Sequence, residues 1–232
     1  MKASAARELF TRVARRYDAL NRVLTCGIDV MWRRRALATL VPAPGRLLDL
    51  ATGTGDLVLG ALRRFPQVRV TGLDLTPAML AIARRRVEAV GGAARVAFVE
   101  GDATHLPFGA AAFDAVTCAF GFRNFPDPAA ALAEAARVLT PGGTLLVLEF
   151  FRRDAASWGA RFTDAWLRLG ARLFAPGARA DYAYLRASMA KTLSADEFTA
   201  CAEAVGFTRV QTAFYRPACQ LLRFQRKDTV SS

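Results

Sequence analysis

The chain has 232 residues, 53% of them hydrophobic and 22% charged, and a formal charge of +12. That is enough chain for one domain with a proper buried core, and the composition excludes a disordered, collagenous or low-complexity protein. No apolar run reaches the roughly 18 residues of a membrane-spanning helix, and residues 1–17 lack the unbroken hydrophobic stretch of a signal peptide, so a cytoplasmic location is expected.

Cys26, Cys118, Cys201 and Cys219 are scattered with no CxxC pair, and His105 is the only histidine. Zinc ribbons and HExxH sites cannot be assembled from these, and no metal is expected. There is no GxSxG elbow and no GxxxxGK[ST] loop, which removes elbow-type hydrolases and P-loop enzymes. The charge alone would suit nucleic acid, an anionic membrane surface or an acidic substrate. Of the 32 basic residues, however, only Lys2, Lys191 and Lys227 are lysines. In an alanine-rich chain this fits a GC-rich coding bias better than selection for phosphate contacts, and no nucleic-acid partner is expected.

Residues 1–42 show a helical pattern and are expected to form an N-terminal lid. Strand-length apolar runs then alternate with helical patterns. Arg46–Ala51, Val68–Asp74, Arg95–Glu100, Phe113–Ala119 and Thr144–Phe151 read as buried strands of a parallel sheet covered on both faces. Thr76-Pro77 and Asp127-Pro128 each put a capping residue before a proline at the first helical position, and the helix after Asp127 should stop before Pro141-Gly142-Gly143. An insertion at 152–193 carries Trp158, Trp166, Phe174, Tyr182 and Tyr184, which suit the wall of an apolar ligand site, although for any single one of them plain packing is the first expectation. Ser194–Glu197 is a capping box opening a helix that ends near Gly206, and two β-like stretches follow, Thr208–Phe214 and Cys219–Phe224. The expectation is a single α/β domain over 1–232, Rossmann-like, with a seven-stranded, mostly parallel sheet and helical elements at 1–42 and 152–193.

The first strand runs straight into Leu48-Asp49-Leu50-Ala51-Thr52-Gly53-Thr54-Gly55-Asp56. Glycines there let backbone approach a ligand where the strand order switches. A dinucleotide fingerprint needs another glycine where Val58 stands, so a pyrophosphate site is disfavoured. Asp74, in Gly72-Leu73-Asp74-Leu75, ends the second strand where a carboxylate accepts from ribose hydroxyls, and Asp102 of Gly101-Asp102-Ala103 follows the third, placed for an adenine amino group. Taken singly, these are a tight turn and helix caps. In this order, Asp49, Asp74 and Asp102 lay negative charge along one sheet edge. That suits a ligand with an ammonium and a sulfonium better than one with phosphates, and points to S-adenosyl-L-methionine (SAM).

Tyr17-Asp18-x-x-Asn21, Gly27, Trp32-Arg33, LDLATGTGD at 48–56, GDAxxLPF at 101–108 and Phe120-Gly121-Phe122-Arg123-Asn124 make the chain resemble the UbiE/COQ5/MenG group of quinone-biosynthesis C-methyltransferases. Arg137–Gly143, Leu148-Glu149-Phe150, Tyr184-Leu185 and Gly206-Phe207 extend the likeness over residues 10–210 or so. The SAM motifs are generic to class I SAM-dependent methyltransferases, whereas YDxxN and FGxRN are specific to the group. The resemblance implies methylation of a ring carbon in demethylmenaquinol or a polyprenyl methoxybenzoquinol. It implies SAM contacts at Asp49, Ala51, Thr54, Asp74, Leu75, Asp102, Ala103 and Ala119, with Gly53 and Gly55 shaping the loop. Relatives often carry a small polar residue where Ala119 stands, so a side-chain contact is lost there.

A ring carbon beside a phenol becomes nucleophilic as the hydroxyl loses its proton. Arg123 is too basic to take that proton readily and is expected to stabilise the forming quinolate, with Asn124 orienting the ring oxygen. Tyr17 and Asp18 lie on the element that would close over the site, Asp18 as a candidate proton acceptor; their plain alternatives are a core tyrosine and a helix-surface pair. His105, beside Leu106-Pro107, is expected in a surface turn rather than as a base. The tail departs from the group at Thr192-Leu193 and over Arg216–Phe224, which leaves open another phenolic or polyketide-like acceptor. RNA methylation is the weaker alternative, because the fourth strand ends in Cys118-Ala119-Phe120-Gly121 rather than [DNS]PP[YF]. A silent SAM-binding partner and a nicotinamide dehydrogenase rank lower still. A polyprenyl quinol substrate would give the basic surface a use, in transient contact with an anionic membrane face. A homodimer is left open.

Overall fold

The computed structural model describes residues 8, 11, 14, 22 and 25 and the segments 27–152, 192–215 and 219–228. The expectations for Tyr17 and Asp18, for the five aromatic residues between 158 and 184, and for residues 216–218 lie outside them.

After helix α1 (Ile28–Ala38), strands and helices alternate: β1 (Arg46–Leu50), α2 (Asp56–Arg64), β2 (Arg69–Asp74), α3 (Pro77–Ala89), β3 (Val96–Glu100), β4 (Phe113–Ala119), α4 (Pro128–Val138), β5 (Leu139–Glu149), α5 (Ala195–Ala204), β6 (Phe207–Tyr215) and β7 (Cys219–Arg226). They build one seven-stranded sheet in the order β3-β2-β1-β4-β5-β7-β6. β1 to β5 are parallel, while β7 runs antiparallel to β5 and β6 antiparallel to β7. The order reverses between β1 and β4, so a cleft opens at their carboxyl ends.

The apolar strands bury both faces because each sends alternate residues into a different core. On β1, Leu47 packs with Trp32 of α1 and Leu57 of α2, while Leu48 and Leu50 join Leu132 of α4 and Phe198 of α5 on the other face. Full burial of a leucine side chain stabilises by about 1.5–3 kcal/mol, so these two layers fix the sheet and, with it, the cleft. No helix among the described residues is long and apolar enough to cross a membrane.

Two local expectations are corrected. β5 begins at Leu139, not Thr144, because the Pro-Gly-Gly signal is absorbed inside the strand: Phe113 pairs with Leu139, Ala115 with Thr144, and the residues between bulge out with Gly142 at φ 69°. Thr76 stands before α3 without capping it, since its backbone N–H and its hydroxyl both turn to Asp74. Asp127 does cap α4, accepting from the Ala130 N–H, and the Ser194–Glu197 capping box forms as read.

Candidate functional site

The cleft is assembled from four loops at the carboxyl ends of β1 to β4. After β1 the chain turns sharply through Ala51, Gly53 and Gly55, all in the left-handed region at φ 51°, 56° and 85°. Gly53 is needed for that conformation and Gly55 also for space, since a Cβ there would stand 3.2 Å from the Ala83 Cβ on α3. Val58, where a dinucleotide loop would have its third glycine, is instead fully buried in the core.

Asp74 ties this loop to the next. Its Oδ2 accepts from the Gly53 N–H at 2.8 Å and its Oδ1 from the Thr76 N–H at 2.9 Å. Burial raises the Asp74 pKa, and these bonds to the charged form oppose the rise. The Thr76 hydroxyl also turns to this carboxylate, so a ligand's hydroxyls would compete with it for the oxygens' remaining lone pairs. Asp102 accepts from the N–H and hydroxyl of Thr104 through Oδ1, at 2.9 and 2.8 Å. Asp74 and Asp102 line one cleft of about 750 Å³ together with Ala51, Gly53, Leu75 and Ala103. The structure therefore brings together most of the residues expected around a nucleoside.

A smaller recess of about 340 Å³ adjoins it and shares Ala51, Gly53 and Ala119 with it. Asp49, Thr54 and Arg33 face this recess. Asp49 lies at the base of the loop and accepts from the Thr52 and Thr117 hydroxyls, both at 2.7 Å. Its burial pushes its pKa up to about 6, against the pull of those hydroxyls and of Arg33. Thr54 is held by Arg86, which donates to its carbonyl at 2.9 Å and its hydroxyl at 3.0 Å and also reaches Asp56. Ala119 offers no polar side chain to either space.

The turn after β4 forms the remaining wall. Phe120 adopts φ 61°, a strained conformation for a bulky residue and one found where a site over-determines its backbone. Its N–H donates to Leu148 O at 2.8 Å, and its carbonyl accepts from Arg123 Nη1 at 2.7 Å and Asn124 Nδ2 at 3.4 Å. Its ring stacks on Phe150 with centroids 4.9 Å apart. Gly121 has no room for a side chain: a Cβ would come within 2.7 Å of both the Ala51 Cβ and the Cys118 Sγ, so the β1 and β4 loops touch at this residue. Phe122 is buried, and Asn124, Phe125 and Pro126 face the cleft.

Arg123 is not among the residues lining the cleft. Its Nη1 pairs with Glu149 Oε1 at 2.8 Å, and the two side chains are only 6% and 1% exposed. A buried guanidinium beside a buried carboxylate is drawn to it, so in this structure Arg123 braces the turn from behind, and Asn124 alone of that pair reaches the cleft. His105 is exposed, in the turn expected of it, and bonds Thr104.

Sequence reasoning passed over Glu149, Asp29 and the part played by Arg33. The signal for Glu149 was present, since a carboxylate inside the run Leu145–Phe151 must have a buried partner. For Asp29 and Arg33 the signal was the four-residue spacing that sets the two side chains on one face of a helix.

A family model described as the ubiE/COQ5 methyltransferase family matches residues 1–217. The demethylmenaquinone methyltransferase of Thermus thermophilus is 58% identical over 143 residues, which are 61% of this chain and 64% of that protein. This chain thus spans just under two thirds of that relative's length. The ubiquinone/menaquinone biosynthesis C-methyltransferase UbiE of Paracoccus denitrificans is 40% identical over 214 residues, 90% of this chain and 85% of that one. Among solved structures, a SAM-dependent methyltransferase from Aquifex aeolicus superposes with a TM-score of 0.64 at 15% identity, covering 86% of this chain and 92% of that one, a likeness of fold. The donor set fits the cofactor that this family and fold imply: carboxylates face the cleft and its recess, and no lysine among the described residues does. The chain belongs to the ubiE/COQ5 methyltransferase family, whose cofactor is S-adenosyl-L-methionine.

Proposed function

We propose that the protein methylates a ring carbon of a polyprenyl quinol, with demethylmenaquinol to menaquinol as the reaction. What carries this reading is the cleft's change of character along its length. Asp74 and Asp102 line one part, while Phe120, Phe125 and Pro126 provide an apolar wall with Asn124 as its polar group. The names of the relatives from Thermus thermophilus and Paracoccus denitrificans support the same substrate class.

SAM, when bound, supplies an electrophilic methyl group on a positively charged sulfur. In this reading Asp74 accepts from the ribose hydroxyls, Asp102 from the adenine amino group, and Asp49 faces the amino-acid end. The loop residues Ala51, Gly53, Thr54, Gly55, Leu75, Ala103 and Ala119 shape the space around them. Asn124 hydrogen-bonds a ring oxygen and so aligns the adjacent carbon, while Phe120 and Phe125 exclude water. The quinol hydroxyl proton leaves as the ring carbon–methyl bond forms and the methyl–sulfur bond breaks, with Asp18 as its proposed acceptor and Tyr17 next to it in the sequence. The hydrogen on the methylated ring carbon then leaves as a proton while the ring oxygen regains one, which restores the quinol. Arg123 acts at one remove, by fixing the Phe120 carbonyl and through it the turn that bears Asn124. The basic surface is proposed to bring the protein transiently to an anionic membrane face, where such a substrate resides. Binding to anionic vesicles should then fall as salt rises.

The test is transfer of labelled methyl from SAM to chemically reduced demethylmenaquinone, with total RNA as a competing acceptor. Label in the quinol, lost in Asp74→Ala, is the expected result. Unlabelled quinol from protein that still binds SAM would overturn the choice of substrate.

A further inference from the structure

The described residues lining the cleft and its recess include one cationic side chain, and the cofactor reading gives it no task. Arg33 projects from α1 into the recess that also holds Asp49. Its side chain is only 10% exposed, and a buried guanidinium without a counter-charge would be costly. It has partners, but all through one nitrogen. Nη1 bonds Asp29 on the same helix, one turn earlier, and lies 3.7 Å from Asp56 Oδ2. The guanidinium also sits 5.0 Å from the centroid of the Phe120 ring, which fixes its plane from the side of the cleft. Nε and Nη2 donate no hydrogen bond to the described residues. That is the edge of the fork that grips a carboxylate in two parallel bonds.

The surrounding charges lean the same way. Arg22, Arg33 and Arg86 share two carboxylates, Asp29 and Asp56. This cluster carries an excess positive charge at the wall of the recess. Asp49 faces the same space and draws an ammonium. A recess with a carboxylate and an open guanidinium edge matches the two charged ends of an α-amino acid.

We infer that Arg33 binds the carboxylate of the cofactor's methionine portion, with Asp29 holding its guanidinium in place and Asp49 opposite for the ammonium. The inference rests on the cofactor occupying the cleft and deepens that assignment: the enzyme reads the amino-acid end of its cofactor, and selects for it, through α1. α1 thereby becomes part of the cofactor site as well as part of the core.

The test is equilibrium binding by calorimetry to the full chain, with SAM and with decarboxylated SAM, which keeps the adenosine, sulfonium and amine but lacks the carboxylate. Wild-type protein should prefer SAM by about 10- to 100-fold, the worth of a charge-assisted pair in a partly dry site. Arg33→Gln should lose that factor for SAM and bind decarboxylated SAM within about threefold of wild type, so that the preference collapses. Parallel loss of both ligands would make Arg33 a structural residue and overturn the inference. Equal wild-type affinity for the two ligands would overturn it without any variant, which covers the case in which Arg33→Gln does not fold. Wild-type protein that binds neither would overturn the cofactor assignment itself, a distinct result.

Discussion

The two loops that meet at Gly121 are held in unlike ways. The β1 loop is fixed from close by: left-handed glycines set its path, and one carboxylate at the end of the neighbouring strand takes the Gly53 amide. The β4 turn is fixed from a distance, by Arg123 pairing with Glu149 across 26 residues of sequence and by a ring stack on Phe150. The first device leaves its carboxylate partly available to a ligand, and the second consumes both charges internally. Loss of Asp74 should therefore appear in binding, and loss of Glu149 in folding.

The largest effect expected is on stability. Glu149→Ala leaves Arg123 charged in a buried place and should cost about 3–5 kcal/mol, read from urea unfolding. Replacing Arg123 by methionine in the same chain should recover part of that, and a purely additive double variant would break the comparison. Asp74→Ala comes next. SAM affinity should fall about 100-fold by calorimetry, with the unfolding midpoint moving less than in Glu149→Ala, because Gly53 and Thr76 line the cleft, where water can take the place of the lost carboxylate. A comparable loss of stability would erase the distinction between the loops.

Asp49 sharpens the contrast through pH. Its folded-state pKa is raised to about 6, so the folded protein keeps a proton that the unfolded chain has already lost. The part of the ligand-free protein's stability that Asp49 contributes should fall as pH rises from the ordinary carboxylate range to about 6 and then level off. Affinity for the cationic cofactor should do the reverse, rising with pH by at most about tenfold per unit and flattening above about 6. Asp49→Asn should remove this contribution from both profiles and leave that of Asp74, whose pKa burial also raises. The smallest effect is reserved for a surface pair: Arg46 and Asp114 bond at 2.8 Å, with side chains 50% and 35% exposed, and Arg46→Ala should cost under about 1 kcal/mol.

The same contrast explains what could be read from the sequence. Asp49, the glycines and Asp74 belong to short segments in which type and spacing carry the geometry, and the strand alternation that orders them is equally local. Their placement around a cleft followed. The part played by Arg123 did not. A guanidinium in FGxRN looks available to substrate until Glu149 is brought beside it by the pairing of β4 with β5. Arg33 was hidden differently, since three consecutive arginines on α1 look like one charged surface. Only packing distinguishes Arg33, buried against Asp29, from Arg34 and Arg35, which are exposed. The start of β5 is not legible locally, because Pro-Gly-Gly serves equally as a helix stop and as a bulge inside a strand.

The most direct test is a crystal structure with S-adenosylhomocysteine, the product form of the cofactor. The account predicts the ribose on Asp74, the adenine beside Asp102, the amino-acid end between Asp49 and Arg33, and Arg123 still paired with Glu149. A nucleoside bound elsewhere, or Arg123 released from Glu149 and turned into the cleft, would contradict it.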